Sequence, residues 1–390
     1  MTMKIVFWSN IYTRHQESLS LALNSLVDQY VFIAEADRGR SFETLGKEAG
    51  HEPSFVWHAA SDNRAKLIRW VRQNADMVIL GVPAPDLVRA CRKRKLLLFR
   101  YSERPFKKEP TRTGLLLRAI RWRMWNPPRI PIYLLCAGAC VADDYRKIGM
   151  FRNRTYKWGY FSEYRRKDTI ETLMSEKDPR QILWAGRLLS WKHPETALYL
   201  AKELAEKGTE FTLKLVGSGP MKEELEILRE KLEIEAYVEL EDTKSPEELR
   251  ILMEHSGIFL MTSSREEGWG AVVNEAMSCG CAVIGSSETG SVPYLIQSGE
   301  NGYIYTYGNA DSLLAKTERL LQSPSLQRKM GVEACKTIET EWNAGEAAGR
   351  LVALAESLLH GRRHREYESG PCSRADFAPE DKQQYDVERT

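Results

Sequence analysis

No apolar run in this sequence is long enough to cross a membrane. The longest, residues 130–142, is about thirteen residues, against the roughly 18–20 that a spanning helix needs. Cysteine is scarce: seven in 390 residues, an odd number at low density, which excludes a disulfide scaffold and fits reduced thiols. The opening "MTMKIVFWSN" lacks a charged leader followed by a long apolar stretch, so no signal peptide is expected. Nor is there an excess of charge of one sign, with 56 Lys and Arg against 54 Asp and Glu and a net +2. A hydrophobic fraction of 43% excludes a disordered or collagenous chain. What remains is a soluble, cytoplasmic α/β protein.

The balance of charge hides an asymmetry. Residues 1–180 hold 33 Lys and Arg against 19 Asp and Glu, and the remainder reverses the sign. Residues 89–130 alone carry 14 basic residues and two acidic ones, Glu103 and Glu109. The basic half is expected to face an anionic partner. Short apolar strands alternate with amphipathic helices from "KIVFWSN" onward, and the alternation restarts at "QILWAGR". Such alternation indicates parallel sheets covered on both faces. The expected fold class is α/β, with two doubly wound Rossmann-like domains facing across a ligand cleft. Residues 1–161 form the first domain, 162–180 a polar linker and 181–343 the second domain. Residues 344–360 form a last amphipathic helix, and 361–390 a polar, loosely docked tail.

The most informative segment is "TSSREEGWGAVVNEAMSCGCAVIG", residues 262–285. A strand ends near Thr262, and Gly268 and Gly270 bracket a turn into a helix near Ala271. Unpaired amides at such a start favour a phosphate. Glu267 and Glu275 flank it, and carboxylates beside an anion site make sense as acceptors for sugar hydroxyls. A solvated helix start remains the alternative. In "LWAGRLLSWKHPE", Arg187 and Lys192 sit in the loop after a strand, where they could neutralise a diphosphate. Two ordinary surface cations are the alternative there. Gly217 and Gly219 in "LVGSGP" form a third strand-end turn.

Together "AGRLLSWK", "LVGSGP", "SREEGWGAVVNEAMSCGCAVI" and "SGENGYIY" resemble the nucleotide-sugar half of glycosyltransferase family 4, retaining enzymes of the GT-B fold. The resemblance covers about 181–345 in family order. It implies that Glu267 lies near the transferred sugar, that Glu275 binds the ribose, and that Arg187 and Lys192 clamp the diphosphate. Gly268, Trp269, Gly270 and Ala271 would border the sugar and phosphates. It further implies that the last helix returns to the N-terminal domain and that no metal or other cofactor is needed. "SNIYTRHQESLSLAL", "FRYSERPFKK" and "YKWGYF" resemble acceptor-facing segments of polysaccharide-building members, which nominates His15, Glu103 and Arg104. The Gly-Gly loop that many members carry after the first strand is missing, and "WKHP" replaces the commoner Lys-Gly, so the acceptor stays open.

Cys136/Cys140 and Cys279/Cys281 lack His partners in their apolar surroundings and read as structural thiols rather than zinc ligands. The stretch 113–135 interleaves Arg with Leu, Ile and Trp, as interfacial helices do. At about 100° per residue, Leu116, Leu117, Ile120 and Met124 share one face. Arg118, Arg121, Trp122 and Trp125 share the other, with Arg123 at the edge; these five are the expected membrane-facing residues. The alternative is a helix packed on the domain by its Leu/Ile face. The function implied is transfer of a hexose from a nucleotide-diphosphate sugar to a glycan or lipid-linked glycan in cell-surface polysaccharide synthesis. The enzyme would be peripheral on the inner membrane face, with no nucleic-acid partner. An epimerase or hydrolase of the same fold, or a basic nucleic-acid-binding protein, is the rival reading.

Overall fold

The computed structural model describes residues 3–36, 52–60, 63–92, 94, 96–127, 130–162, 169–364 and 366–375. These fall into two compact units. The first is built on β1 (Lys4–Ser9), β2 (Gln29–Ala34), β3 (Val56–His58), β4 (Met77–Leu80), β5 (Leu97–Ser102), β6 (Ile132–Ala137) and β7 (Thr155–Trp158). All pair in parallel, in the order β3-β2-β1-β4-β5-β6-β7. Its helices are α1 (Arg14–Leu26), α2 (Arg64–Asn74), α3 (Pro85–Arg92), α4 (Arg112–Trp125) and α5 (Val141–Lys147). Every residue of β4 is buried, as expected of a strand covered on both faces.

Local chemistry sets the helix starts. Gln16 reaches back to accept from the Thr13 amide at 2.9 Å, opening α1, and the Thr111 hydroxyl accepts from Gly114 N–H at 3.2 Å, opening α4. The apolar run at 130–142 is not one strand. It stops at Ala137 because Gly138 takes φ 127°, a conformation that favours glycine, and α5 begins at Val141.

The second unit opens with α6 (Ile170–Ser175), then β8 (Asp178–Ala185), α7 (Pro194–Glu206), β9 (Thr212–Val216), α8 (Lys222–Lys231), β10 (Val238–Glu241) and α9 (Pro246–His255). It continues through β11 (Ser256–Met261), α10 (Val272–Ser278), β12 (Ala282–Ser286), α11 (Val292–Leu295), β13 (Gly302–Tyr305), α12 (Ala310–Gln322) and α13 (Pro324–Thr340). The strands pair in parallel in the order β10-β9-β8-β11-β12-β13. The order reverses between β8 and β11, leaving a crevice at their carboxyl ends. In the first unit the same reversal falls between β1 and β4. The last helix, α14 (Ala344–Leu359), belongs to the first unit and packs on α1.

Two expectations need correction. Of the segment 162–180, residues 163–168 lie outside the described residues, but 169–180 is not a linker. Thr169 caps α6, whose Leu173 and Met174 are buried with Cys335, and β8 already begins at Asp178. Of the tail 361–390, residues 376–390 lie outside the described residues, whereas Gly370–Ala375 is docked. Cys372 N–H donates to the Lys157 carbonyl at 2.9 Å and Lys157 N–H to the Ser373 carbonyl at 2.8 Å, so this strip pairs antiparallel with β7 and buries Cys372. It satisfies backbone groups on an otherwise open sheet edge. Too few apolar residues lie in it for periodicity to reveal the docking.

Arg100 on β5 is fully buried with no carboxylate beside it. Its Nε and Nη2 donate to Asn126 Oδ1 at 3.2 and 2.9 Å, and Nη1 donates to the Val82 carbonyl. Burial pushes its guanidinium down to about 10. We expect Asn126→Leu to lower the stability of the protein by about 2–4 kcal/mol, since it strips a buried charge of its main acceptor. Denaturant unfolding measures this directly. A loss below about 1 kcal/mol would show that the cation is satisfied in another way.

Candidate functional site

The crevice of the second unit is framed by the loop 186–193 after β8 and the loop 262–271 after β11. The Thr262 hydroxyl links them: it accepts from the Trp184 indole N–H at 2.8 Å and donates to the Lys192 carbonyl at 2.7 Å. Beside it, Ser264 N–H and Oγ donate to the Trp191 carbonyl at 2.8 and 3.2 Å. The loop 186–193 is thus held on the loop after β11 by its backbone carbonyls. His193, at φ 49°, turns the chain from the short Ser190–Lys192 turn into α7, with Pro194 at the first helical position.

The Lys192 ammonium pairs with Glu267 Oε2, with the Ser263 hydroxyl 3.5 Å from the same oxygen. Both side chains are only 15–17% exposed, so this pair is less screened than a surface ion pair. Arg187 is exposed and has no ion pair among the described residues. Glu275 lies half-buried on α10.

Gly217 and Gly219 prove to be packing positions. A Cβ on Gly217 would lie 1.8 Å from the Gly186 carbonyl oxygen, and one on Gly219 would lie 2.4 Å from that of Leu188. Leu188 N–H bonds to the Ser218 carbonyl at 2.9 Å, so the loop after β9 lies directly on the clamp loop. Gly270 has φ 84° and leaves no room for a Cβ, which would come within 2.7 Å of Met261 Cε.

Two further expectations are corrected here. The Trp269 ring presents no exposed surface in its loop: it is buried, with its indole N–H donating to Asn274 Oδ1 at 2.8 Å, and anchors the loop from behind. The helix following Ala271 has only seven residues, so its dipole offers an anion less than a long helix would. Gly268, next to Trp269, is buried in the same turn.

Several neighbours of the site carry no mark in the amino-acid pattern. Thr262 and Ser263 sit in "TSS" without a motif that marks them. His193 Nδ1 lies 2.7 Å from Glu195 and Nε2 lies 2.8 Å from the Tyr307 hydroxyl, linking the clamp loop to the loop after β13. The replacement in "WKHP" was the available signal. His193, Thr262, Tyr305, Tyr307 and Asn309 line a cavity of about 440 Å³.

In the first unit, His15 and Glu103 meet through Tyr160. The His15 ring stacks on Tyr160 with centroids 5.4 Å apart, and the Tyr160 hydroxyl donates to Glu103. Glu103 also lies 3.7 Å from Lys107. His15 lies in the first turn of α1, after β1, and Glu103 and Tyr160 lie in the loops at the carboxyl ends of β5 and β7. Arg104 is held by α5. Its Nε donates to Asp144 at 3.1 Å and both side chains are buried, so it ties the loop after β5 to α5. Burial raises the Asp144 carboxyl despite that partner.

The helix α4 reverses the expected orientation. Arg118 packs its guanidinium over Phe106 at 4.9 Å, and Trp122 meets Tyr145 edge-on at 4.9 Å. Trp125 is half-buried between Trp122 and Arg121. Arg118 and Trp122 therefore do not face outward, while Arg121 and Arg123 do. The face turned to solvent is the apolar one: Leu116, Leu117 and Met124 are 63–68% exposed and Ile120 is 49% exposed.

The class that the fold defines is the GT-B architecture, two parallel-sheet α/β units, with a crevice at the strand-order reversal of the second. HepE of Anabaena, a structure in complex with UDP, superposes with a TM-score of 0.68 at 16% identity over 91% of this chain and 100% of its own. At the level of sequence, residues 166–337 match the family of glycosyl transferases group 1. The chain is 29% identical over 185 residues to the amylovoran biosynthesis glycosyltransferase AmsK of Erwinia amylovora, covering 46% of this chain and 45% of that one. It is also 29% identical over 157 residues to an uncharacterized glycosyltransferase of Haemophilus influenzae, covering 40% and 44%. The matches span under half the length of these curated relatives. The resemblance read from the motifs holds over the second unit.

His15 offers a pH test. Burial and then Arg14 hold its imidazole below the ordinary 6.5. The folded state therefore binds fewer protons than the unfolded one as pH falls through that range, and acidification destabilises. We expect the His15 resonance to titrate below 6.5, and His15→Gln to lose less stability than wild type between neutral pH and the acidic end of that range. NMR titration with parallel unfolding curves measures both; a midpoint at or above 6.5 refutes the assignment.

Proposed function

We propose that this protein is a retaining glycosyltransferase that moves a hexose from a nucleotide-diphosphate sugar to a glycan or lipid-linked glycan in cell-surface polysaccharide synthesis. The observation that carries the reading is the Lys192–Glu267 pair at the strand-order reversal of the second unit, with Arg187 exposed in the same loop. AmsK, an amylovoran biosynthesis glycosyltransferase, and HepE, solved with UDP, support the reaction class and the donor type.

Arg187 supplies a forked guanidinium and Lys192 a compact ammonium for the leaving diphosphate, so charge stabilisation needs no metal ion. In the unliganded state Glu267 holds Lys192. When the donor binds, the ammonium turns to the phosphates, and Glu267 is released to orient the sugar and support positive charge at its anomeric carbon. Glu275 accepts from the ribose hydroxyls. No side chain is placed as a covalent nucleophile, so the acceptor attacks on the face the diphosphate leaves. The basic first unit lies against an anionic membrane surface, where a lipid-linked acceptor resides. Among the described residues no helix is long and apolar enough to cross that membrane.

Arg187→Ala and Lys192→Ala are each expected to lower turnover by roughly 10²-fold, the usual effect of removing a transition-state charge contact. Initial rates with a UDP- or GDP-sugar panel measure this; unchanged rates in both variants sink the clamp. Turnover without any acceptor would instead identify a hydrolase or epimerase.

Glu275→Gln should weaken donor binding, because an amide is a poorer acceptor than a carboxylate. Glu267→Gln should reduce rate more than affinity. Calorimetric titration beside kinetics separates the two, and equal affinity losses with no separate rate effect would contradict the division of roles.

A further inference from the structure

Helix α4 ends beside a cavity of about 490 Å³ that no step of the transfer reaction uses. Arg123, Arg152 and Arg154 line it together with Asn126, Met150 and Phe151, and no carboxylate is among its walls. None of the three guanidiniums has an ion-pair partner among the described residues. The cavity lies at the amino-terminal ends of β6 and β7, since Ile132 begins one strand and Arg154 immediately precedes the other. His15, Glu103 and Tyr160 occupy the carboxyl-terminal edge of that sheet. The two sites are therefore at opposite edges.

The wall of this cavity is held at a conformational cost. Gly149, Phe151 and Asn153 all have φ between 53° and 69°, and a bulky residue such as Phe rarely adopts that region. Phe151 is fixed by burial and by an edge contact with Tyr145 at 5.1 Å, and the Asn153 carbonyl is held by Arg374 Nη1 at 2.9 Å. A rigid loop thus keeps Arg152 and Arg154 beside Arg123 without a counter-charge.

The same helix presents the unpartnered stripe Leu116, Leu117, Ile120 and Met124. On a helical wheel Arg121 borders this stripe on one side and Arg112 and Arg123 on the other, all exposed. An apolar face rimmed by arginines suits the boundary between headgroups and acyl chains. We propose that the cavity receives the phosphate headgroup of an anionic membrane lipid while the apolar stripe of α4 lies in the acyl boundary of the same leaflet. This rests on the membrane-surface reading above and adds to it a specific pocket and a specific inserted face. A forked guanidinium binds a phosphate through paired hydrogen bonds, which an ammonium cannot do.

The test is co-sedimentation of the full chain with vesicles of phosphatidylcholine alone and of phosphatidylcholine mixed with phosphatidylglycerol. Wild type should sediment with the mixed vesicles and stay largely in solution with the neutral ones. Arg152→Gln with Arg154→Gln should cut partition by roughly 25-fold, about fivefold for each charge at an anionic leaflet. Arg152→Lys with Arg154→Lys keeps the charge and loses the fork, so partition should still fall several-fold. Leu117→Ser with Ile120→Ser should weaken binding in a way that lowering the salt does not restore. If the lysine pair binds like wild type, only a diffuse field is at work and the pocket claim is wrong. If inorganic phosphate raises the melting temperature through these arginines while neither vesicle binds, the pocket takes a free anion and the lipid claim is wrong. Absence of wild-type binding to both vesicles, with no phosphate effect, overturns the proposal outright. Nucleotide-sugar melting shifts and transfer to a soluble acceptor, measured on the same variants, should be unchanged. Their loss in wild type would instead count against the transferase reading.

Discussion

A strand-order reversal in a parallel sheet governs this molecule. Strands β8 and β11 run side by side, but the connections that follow them leave in opposite directions, so their carboxyl ends open a crevice instead of being covered. One hydroxyl, that of Thr262, joins the two strand ends by accepting from β8's Trp184 and donating to the Lys192 carbonyl. Everything chemical in the second unit is placed relative to that link. Lys192 is directed toward Glu267, the glycines of the β9 loop lie against the clamp loop, and Trp269 closes the turn from the buried side.

The pairing of Lys192 with Glu267 neutralises two charges that are both mostly withdrawn from water. That mutual neutralisation limits the cost of holding each of them there. Under the proposed transfer, an incoming diphosphate would replace the carboxylate as the partner of the ammonium and free the carboxylate for the sugar. Arg187, exposed and with no ion pair among the described residues, would on the same proposal meet the diphosphate first.

The first unit works by a different balance. It carries most of the positive charge, and the structure sorts that charge by burial. Arg100 and Arg104 are taken inside to hold Asn126 and Asp144, Arg118 stacks on Phe106, and Arg121, Arg123 and Arg152 remain at the surface. An excess of basic residues in a sequence therefore does not translate directly into a basic surface. Here three of the cations are structural, and three that stay outside, Arg123, Arg152 and Arg154, line one cavity.

The alternation of strand and helix, the restart at β8 and the glycine-marked loops were legible in the sequence, because burial on both faces of a parallel sheet leaves short continuous apolar runs that periodicity detects. So were Arg187, Lys192, Glu267 and Glu275, whose spacing within loops and helices carries the resemblance. Thr262, His193 and Tyr307 were not, since their roles come from hydrogen bonds between segments far apart in the chain. Helix α4 shows the division most plainly. Its sequence determined that two different faces exist, one of Leu, Ile and Met and one of Arg and Trp. Either can be buried, because Trp and the stem of Arg cover apolar surface as well as Leu does. Only the tertiary structure, by setting Phe106 and Tyr145 beneath Arg118 and Trp122, decided which face turned inward and left the leucines in water.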